Sequence, residues 1–228
     1  MPRTGSSLLE KTRKNFRDKG ILGVSAGITR FLIRPFYERK SVVMLSKPAH
    51  AEGDTVPLPQ GRHDGQGEFY LGAAEDVGGI SFIDARWKRT ILAYLDAGAE
   101  IRLGRLDGEI LSYQLSHERF ILDLPRRLRI PLRNNQVYFF DVHVAPGYRG
   151  QGIARRQMSY FESEMMQWGF TEVISLVEIE NQASLRFHEH QGFRVLGSGS
   201  YLRLARLKSW KWNGDCPPGI KLPVVTPS

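Results

Sequence analysis

The run Val137-Tyr-Phe-Phe-Asp-Val-His-Val-Ala-Pro-Gly-Tyr-Arg-Gly-Gln-Gly-Ile-Ala-Arg-Arg156 constrains this chain more than any other. Residues 137–144 are dense in β-branched and aromatic side chains and read as a buried strand. Pro146 cannot donate to a sheet ladder and stops the pairing. Gly150 and Gly152 then let the backbone approach a ligand closely where a helix begins. The first N–H groups of a helix have no partner within it, and the helix dipole is positive there. Arg149, Arg155 and Arg156 add charge, so the segment forms an anion site that suits a pyrophosphate. Two other phosphate motifs fail here. The dinucleotide fingerprint requires glycine where Arg155 stands, and the P-loop requires Gly-Lys-Ser/Thr, which is absent.

The rest of the chain supplies a frame for this segment. Phe69-Tyr70-Leu71 suits a strand, and Ile83, Trp87, Ile91 and Leu95 recur every four residues, predicting a helix over 80–97. Ile101 and Leu103 share a strand face, Asp107-Gly108 makes a two-residue hairpin turn, and Ile110 to Leu115 returns. Residues 117–135 are irregular, with prolines at 125 and 131 opposing a regular helix. The helix after Gly152 carries the stripe Ala154, Met158, Phe161, Met165 and Trp168. Val173–Val177 reads as a strand, Asn181 caps a helix ending near Gly192, and two strands close the pattern at 193–196 and 201–204. The order is β-α-β-β-β-α-β-α-β-β. Strand, helix and strand over 137–177 imply a right-handed parallel crossover, whereas the hairpin implies antiparallel pairing. An α/β (α+β) fold with a mixed sheet and helices on both faces satisfies both.

The signature Val144-Ala145-Pro146 followed by Arg149-Gly150-Gln151-Gly152-Ile153-Ala154 resembles the acetyl-CoA motif of the GNAT superfamily of N-acetyltransferases. A second family signature is similar to Asn181, Ser184, Phe187-His188 and Gly192-Phe193. One helix and one strand separate the two, as in that family, and the resemblance covers about residues 68–205. It implies a splayed sheet, with acetyl-CoA or another acyl-CoA lying between strands 137–144 and 173–177. It also implies backbone contacts from Val142 and Val144 to the pantetheine arm, a pyrophosphate site at residues 149–154, and a place for Asn181 beside the cofactor. In that family a neutral amine attacks the thioester directly, without a covalent enzyme intermediate.

Strand alternation puts Phe140, Val142 and Val144 on one face and Phe139, Asp141 and His143 on the other. In the resembling family the latter face looks toward the acceptor, which makes Asp141 and His143 the candidate proton acceptors. His188 stands where the family carries the tyrosine that protonates the leaving thiolate, so His188 is the candidate acid. His188 and His190 are two apart on a helix and point apart, which opposes a metal site.

The expected domains are a basic extension and linker over 1–67, a catalytic domain over 68–208 and an irregular tail over 209–228. Ser41–Leu45 is a short β-type run inside the extension. Residues 1–40 carry ten Lys/Arg against three acids, most of the net charge of +8. Such an arm suits weak contact with an anionic membrane surface, docking on its own domain, or a homodimer partner. No nucleic-acid-binding motif accompanies the charge, and nucleic acid is set aside as a partner. The one cysteine, Cys216, excludes an internal disulfide and a multi-cysteine zinc site. With no signal-like N-terminus, the expectation is a cytoplasmic protein. The acceptor is read as a primary amine of a small molecule. Arg126, Arg127, Arg129 and Arg133 point to an anionic one, such as an amino sugar, an amino acid or a phosphorylated metabolite. The alternative reading is a catalytically silent acyl-CoA-binding module with a basic docking arm.

Overall fold

A computed structural model describes residues 37–49, 67–204 and 207–214. The readings made for residues 1–36, for most of the linker and for 215–228 lie outside the described residues. The described residues divide into a large unit, residues 41–49 and 67–199 with 212–214, and a small one, 37–40 with 200–204 and 207–211. In the small unit Glu38 pairs with Arg203 at 3.4 Å, and the rings of Tyr201 and Trp210 lie 5.1 Å apart.

The strands are β1 (Tyr37–Pro48), β2 (Glu68–Gly72), β3 (Glu100–Leu106), β4 (Glu109–His117), β5 (Phe120–Asp123), β6 (Leu128–Pro131), β7 (Gln136–Val144), β8 (Glu172–Glu178), β9 (Arg194–Leu204) and β10 (Leu207–Gly214). The helices are α1 (Ala85–Asp96), α2 (Ile153–Gln167) and α3 (Gln182–His190). Eight strands form one sheet in the order β10-β9-β1-β8-β7-β4-β3-β2, and β5 pairs with β6. The β3–β4 hairpin turns on Asp107 and Gly108, with φ of 50° and 84°, the positive pair that matches the sheet's own twist.

Four sequence expectations change. The predicted helix over 80–97 begins only at Ala85, where Asp84 accepts from the Trp87 N–H at 2.7 Å and fixes the start. The two closing strands are one, β9, and residues 207–214, read partly as tail, form β10. The irregular 117–135 segment contains the β5–β6 hairpin, with Arg127 at φ 55° in its turn. The β-type run near Ser41 belongs to the sheet, with Val42–Pro48 antiparallel to β8. That strand lies ahead of Glu68, and only a partner far along the chain gives it a place.

Two features of β7 position the site. It runs parallel to β8 only from Gln136 to Tyr138, opposite Glu172 to Ile174. Beyond that pair the two strands part, which is the expected splay. On its other edge β7 pairs with β4, and the register slips between Tyr113 and Leu115, which face His143 and Phe140. Asp141 and Val142 therefore share the place opposite Gln114, which makes a β-bulge. Gln114 is fully buried, and its amide has no hydrogen-bond partner among the described residues.

The core below the splay joins Val137 and Phe139 of β7, Met158, Phe161 and Met165 of α2, and Val173 and Val177 of β8. Three of the five stripe residues expected on α2 are buried there. Trp168 departs from the stripe, being 46% exposed at the helix end. Its ring instead receives the Arg102 guanidinium at 5.4 Å. On the opposite face Tyr94 of α1 meets Phe140 at 5.0 Å, and Phe140 stacks on Tyr138 at 4.6 Å.

Candidate active site

The segment expected to hold an anion has the backbone geometry its glycines allow. Gly150 and Gly152 have φ of 76° and 77°, a conformation side-chain-bearing residues rarely adopt. Gly152 is the N-cap of α2, and no side chain caps that end. A Cβ at either glycine would meet no atom within 4 Å. The first N–H groups of α2 thus open onto free space, backed by the helix dipole. Ile153 is buried, Ala154 half-buried, and Arg155 exposed on the first turn. This geometry fits the diphosphate of an acyl-CoA. Arg149 folds back and donates from Nε to the Val144 carbonyl at 3.1 Å, so that carbonyl is engaged within the chain. Gln151 donates to the Gly147 carbonyl at 3.2 Å, bracing the loop.

Asp141 and His143, offered as alternatives by the sequence, are joined in the structure. His143 Nε2 lies 3.0 Å from Asp141 Oδ1. Asp141 has φ 54°, a strained position for a non-glycine residue that costs roughly 1 kcal/mol or more. The bulge also corrects the expected faces. Phe139 packs on Phe161 at 5.2 Å, and Val142 packs against the same cluster. Asp141 and His143 turn the other way. His143 stacks on Tyr113 at 5.1 Å with rings 9° apart, and it lies 6.1 Å from Trp87 of α1. One extra residue in a strand reverses every side chain beyond it. Phe139 is thereby separated from Asp141 and His143.

Two residues of this cluster were not singled out as functional by the sequence. Trp87 donates its indole N–H to the Tyr113 hydroxyl at 2.6 Å, and Tyr113 donates to Asp141 Oδ2 at 3.1 Å. Tyr113 is fully buried. Burial and the Asp141 carboxylate hold its hydroxyl far above the ordinary range, so it stays protonated. Trp87 reads in sequence as one member of a helical stripe. The one local hint is that a Trp N–H inside an apolar face needs an acceptor.

His188 lies elsewhere. It is 4% exposed, with Phe193, Phe187 and Phe139 at 4.7, 5.4 and 6.1 Å. Its Nδ1 is 2.8 Å from the Ser184 carbonyl, so the proton sits on Nδ1 and Nε2 is a lone-pair acceptor. Nε2 has no partner among the described residues. Burial lowers the ring's pKa, opposed by the Ser184 carbonyl. Asn181 caps α3, its Oδ1 accepting from the Ser184 N–H at 3.1 Å.

Two of the four arginines of the β5–β6 region are engaged within the chain. Arg126 pairs with Asp123 and Glu178, each at 2.6 Å, and Arg129 lies 3.7 Å over the Phe120 ring. Among the described residues no group of three or more His, Cys, Asp or Glu is arranged to hold a metal, and no helix is long and apolar enough to cross a membrane.

Comparison with solved structures finds the same fold elsewhere. A Drosophila protein superposes with a TM-score of 0.52 at 12% identity, over 81% of this chain and 58% of that one. This chain thus spans little more than half the length of that relative. A GNAT-family protein from Novosphingobium aromaticivorans gives 0.48 at 18% identity, over 75% and 68% of the two chains. The ribosomal-protein-S18-alanine N-acetyltransferase of Escherichia coli gives 0.44 at 14%, over 57% and 78%. No curated protein sequence matches. The model of the acetyltransferase (GNAT) family matches residues 47–193, from the end of β1 through both signatures to Phe193, more than half of the chain. With its acyl-CoA motif set on a helix start beside a splayed strand pair, this chain belongs to the GNAT family of acetyltransferases.

Proposed function

We propose that this protein transfers an acyl group, acetyl in the simplest case, from acyl-CoA to a primary amine of a small molecule in a ternary complex. Bound acyl-CoA would supply the activated thioester. The N–H groups at the start of α2, with Gly150, Gln151 and Gly152 of the loop, would hold its diphosphate. The free edge of β7 beyond Tyr138, including the backbone of Val142, would lie along the pantetheine arm.

The observation that carries the reading is the Asp141–His143 pair at the end of β7, a few residues before the anion site. With Nε2–H donated to Asp141, the imidazole keeps a lone pair on Nδ1. That nitrogen would take the proton lost by the ammonium as its nitrogen becomes a nucleophile. The side chain of His143 is 41% exposed, so an acceptor or a bridging water can reach it. His188, neutral and buried, offers an acceptor rather than a proton. An acid role would require it to take up a proton against its surroundings. A thiolate needs little such help, since thiols ionise near pH 8.5.

The test is thiol release from acetyl-CoA against amines grouped by charge. With a turned-over amine, His143→Gln and Asp141→Asn should each lower kcat by about 10²- to 10⁴-fold at neutral pH, with little change in acetyl-CoA affinity. Full activity in His143→Gln would remove it as the base. Because Arg126 and Arg129 are already engaged, neutral and cationic amines belong in the panel beside anionic ones. The buried, neutral His188 favours one second reading, an acyl-CoA-binding module without turnover. Tight acetyl-CoA binding with no thiol release from any amine would establish it.

A further inference from the structure

We infer that Tyr113 and Trp87 are positioning residues that hold the Asp141 carboxylate in place for His143. The inference rests on the reading of the Asp141–His143 pair as the base. The direction of each hydrogen bond is fixed by chemistry. An indole N–H can only donate, so the Tyr113 hydroxyl accepts from Trp87 at 2.6 Å. Its own proton must then point elsewhere, and the Asp141 Oδ2 at 3.1 Å receives it. The other carboxylate oxygen receives His143 Nε2–H. Side chains from α1, β4 and β7 thus form a network whose donors converge on the Asp141 carboxylate, with the imidazole as its last donor. The network holds His143 in the tautomer whose Nδ1 carries no proton.

The ring of Tyr113 has a second task. It is sandwiched between Phe82 at 6.2 Å and His143 at 5.1 Å, both nearly parallel to it. The stack fixes the plane of the imidazole while the hydroxyl fixes the carboxylate. Asp141 needs such restraint because its backbone is in a conformation that surrounding contacts must impose. Tyr94 of α1 and Tyr138 of β7 are also electrostatically linked to Asp141. Burial keeps both phenols neutral, with Tyr94 pushed up to about 12 and Tyr138 well above its ordinary value.

The test uses the full chain without substrate. The ring titration of His143 is followed by NMR in wild type, Tyr113→Phe, Trp87→Phe and the control Tyr94→Phe. Tyr113→Phe keeps the stack and removes only the hydroxyl. It should move the His143 titration by about half a pH unit or more, upward if Asp141 stays on His143 with one donor fewer, downward if the freed carboxylate swings away. Trp87→Phe should move it in the same direction by less. In an Asp141→Asn background the effect of Tyr113→Phe should vanish. An unmoved titration in Tyr113→Phe overturns the inference. So does an equal shift in Tyr94→Phe, or an undiminished shift in the Asp141→Asn background. These titrations need no turnover. If they behave as expected while His143→Gln keeps full activity, the base reading fails and the positioning network stands.

Discussion

At Gly152 the demands of backbone and ligand coincide. Its φ of 77° suits glycine, and the space beyond its Cα is open. Acetyl-CoA at one hundred times its Kd should stabilise the wild type by about 2.7 kcal/mol, read as a melting shift of roughly 5–10 °C for a chain of this size. Gly152→Glu should abolish that shift, because a carboxylate would enter the diphosphate cradle. Gly152→Ala, equally strained but uncharged, should keep part of it, and an undiminished shift in the Glu variant would remove the cradle assignment. His188 gives a second expectation. Its folded pKa is lowered by burial, so between the folded value and the unfolded value of about 6.5 the unfolded chain binds more protons. The stability it contributes is present above about pH 6.5 and is lost as pH falls toward the folded value. Buried His117, lowered chiefly by burial as well, acts in the same direction. Melting temperatures from about pH 7.5 to 5.5 should therefore fall less steeply in His188→Phe than in wild type. Equal slopes would show that His188 is not the neutral buried ring described.

Between elements, the contact of α2 with the sheet shows how charge and apolar packing combine. Arg102 of β3 is fully buried, bonded to Glu164 at 2.6 Å, Ser116 at 2.7 Å and Glu100 at 3.1 Å, and its guanidinium lies 5.1 Å from the Phe161 ring. Removing one partner of a buried pair leaves the other charge without compensation. Glu164→Ala should thus cost on the order of 3 kcal/mol, and Phe161→Ala about 3–5 kcal/mol through the cavity it leaves. Urea unfolding measures both. A loss under about 1 kcal/mol for Phe161→Ala would mean that α2 is not anchored through this ring. Periodicity exposed the Met158–Phe161–Met165 stripe because helical spacing is local. It could not reveal Arg102, since an arginine in a strand reads as solvent-facing until a helix from another part of the chain supplies its carboxylate.

For the molecule as a whole, the basic arm of residues 1–40 carries its own expectation. Clustered lysines and arginines near an anionic bilayer are each worth about 1 kcal/mol at most. Flotation with phosphatidylserine vesicles at low salt should recover part of the full chain and lose it at high salt; no recovery at low salt would remove the membrane role. What the sequence by itself determined were features set by local pattern and element order. These are the Asp107-Gly108 hairpin, the Asn181 cap, the glycine-opened start of α2 and the parallel crossover from β7 to β8. Each follows from dihedral preference, capping, period or element order. The tertiary structure alone decided which way Asp141 and His143 face, because the bulge depends on how β7 meets β4. It alone brought Trp87 and Tyr113, 26 residues apart, together at that pair, sealed His188 among three phenylalanines, and placed β1 against β8. Those outcomes belong to long-range register and packing, where one residue of slip reverses a strand face and no local pattern records the choice.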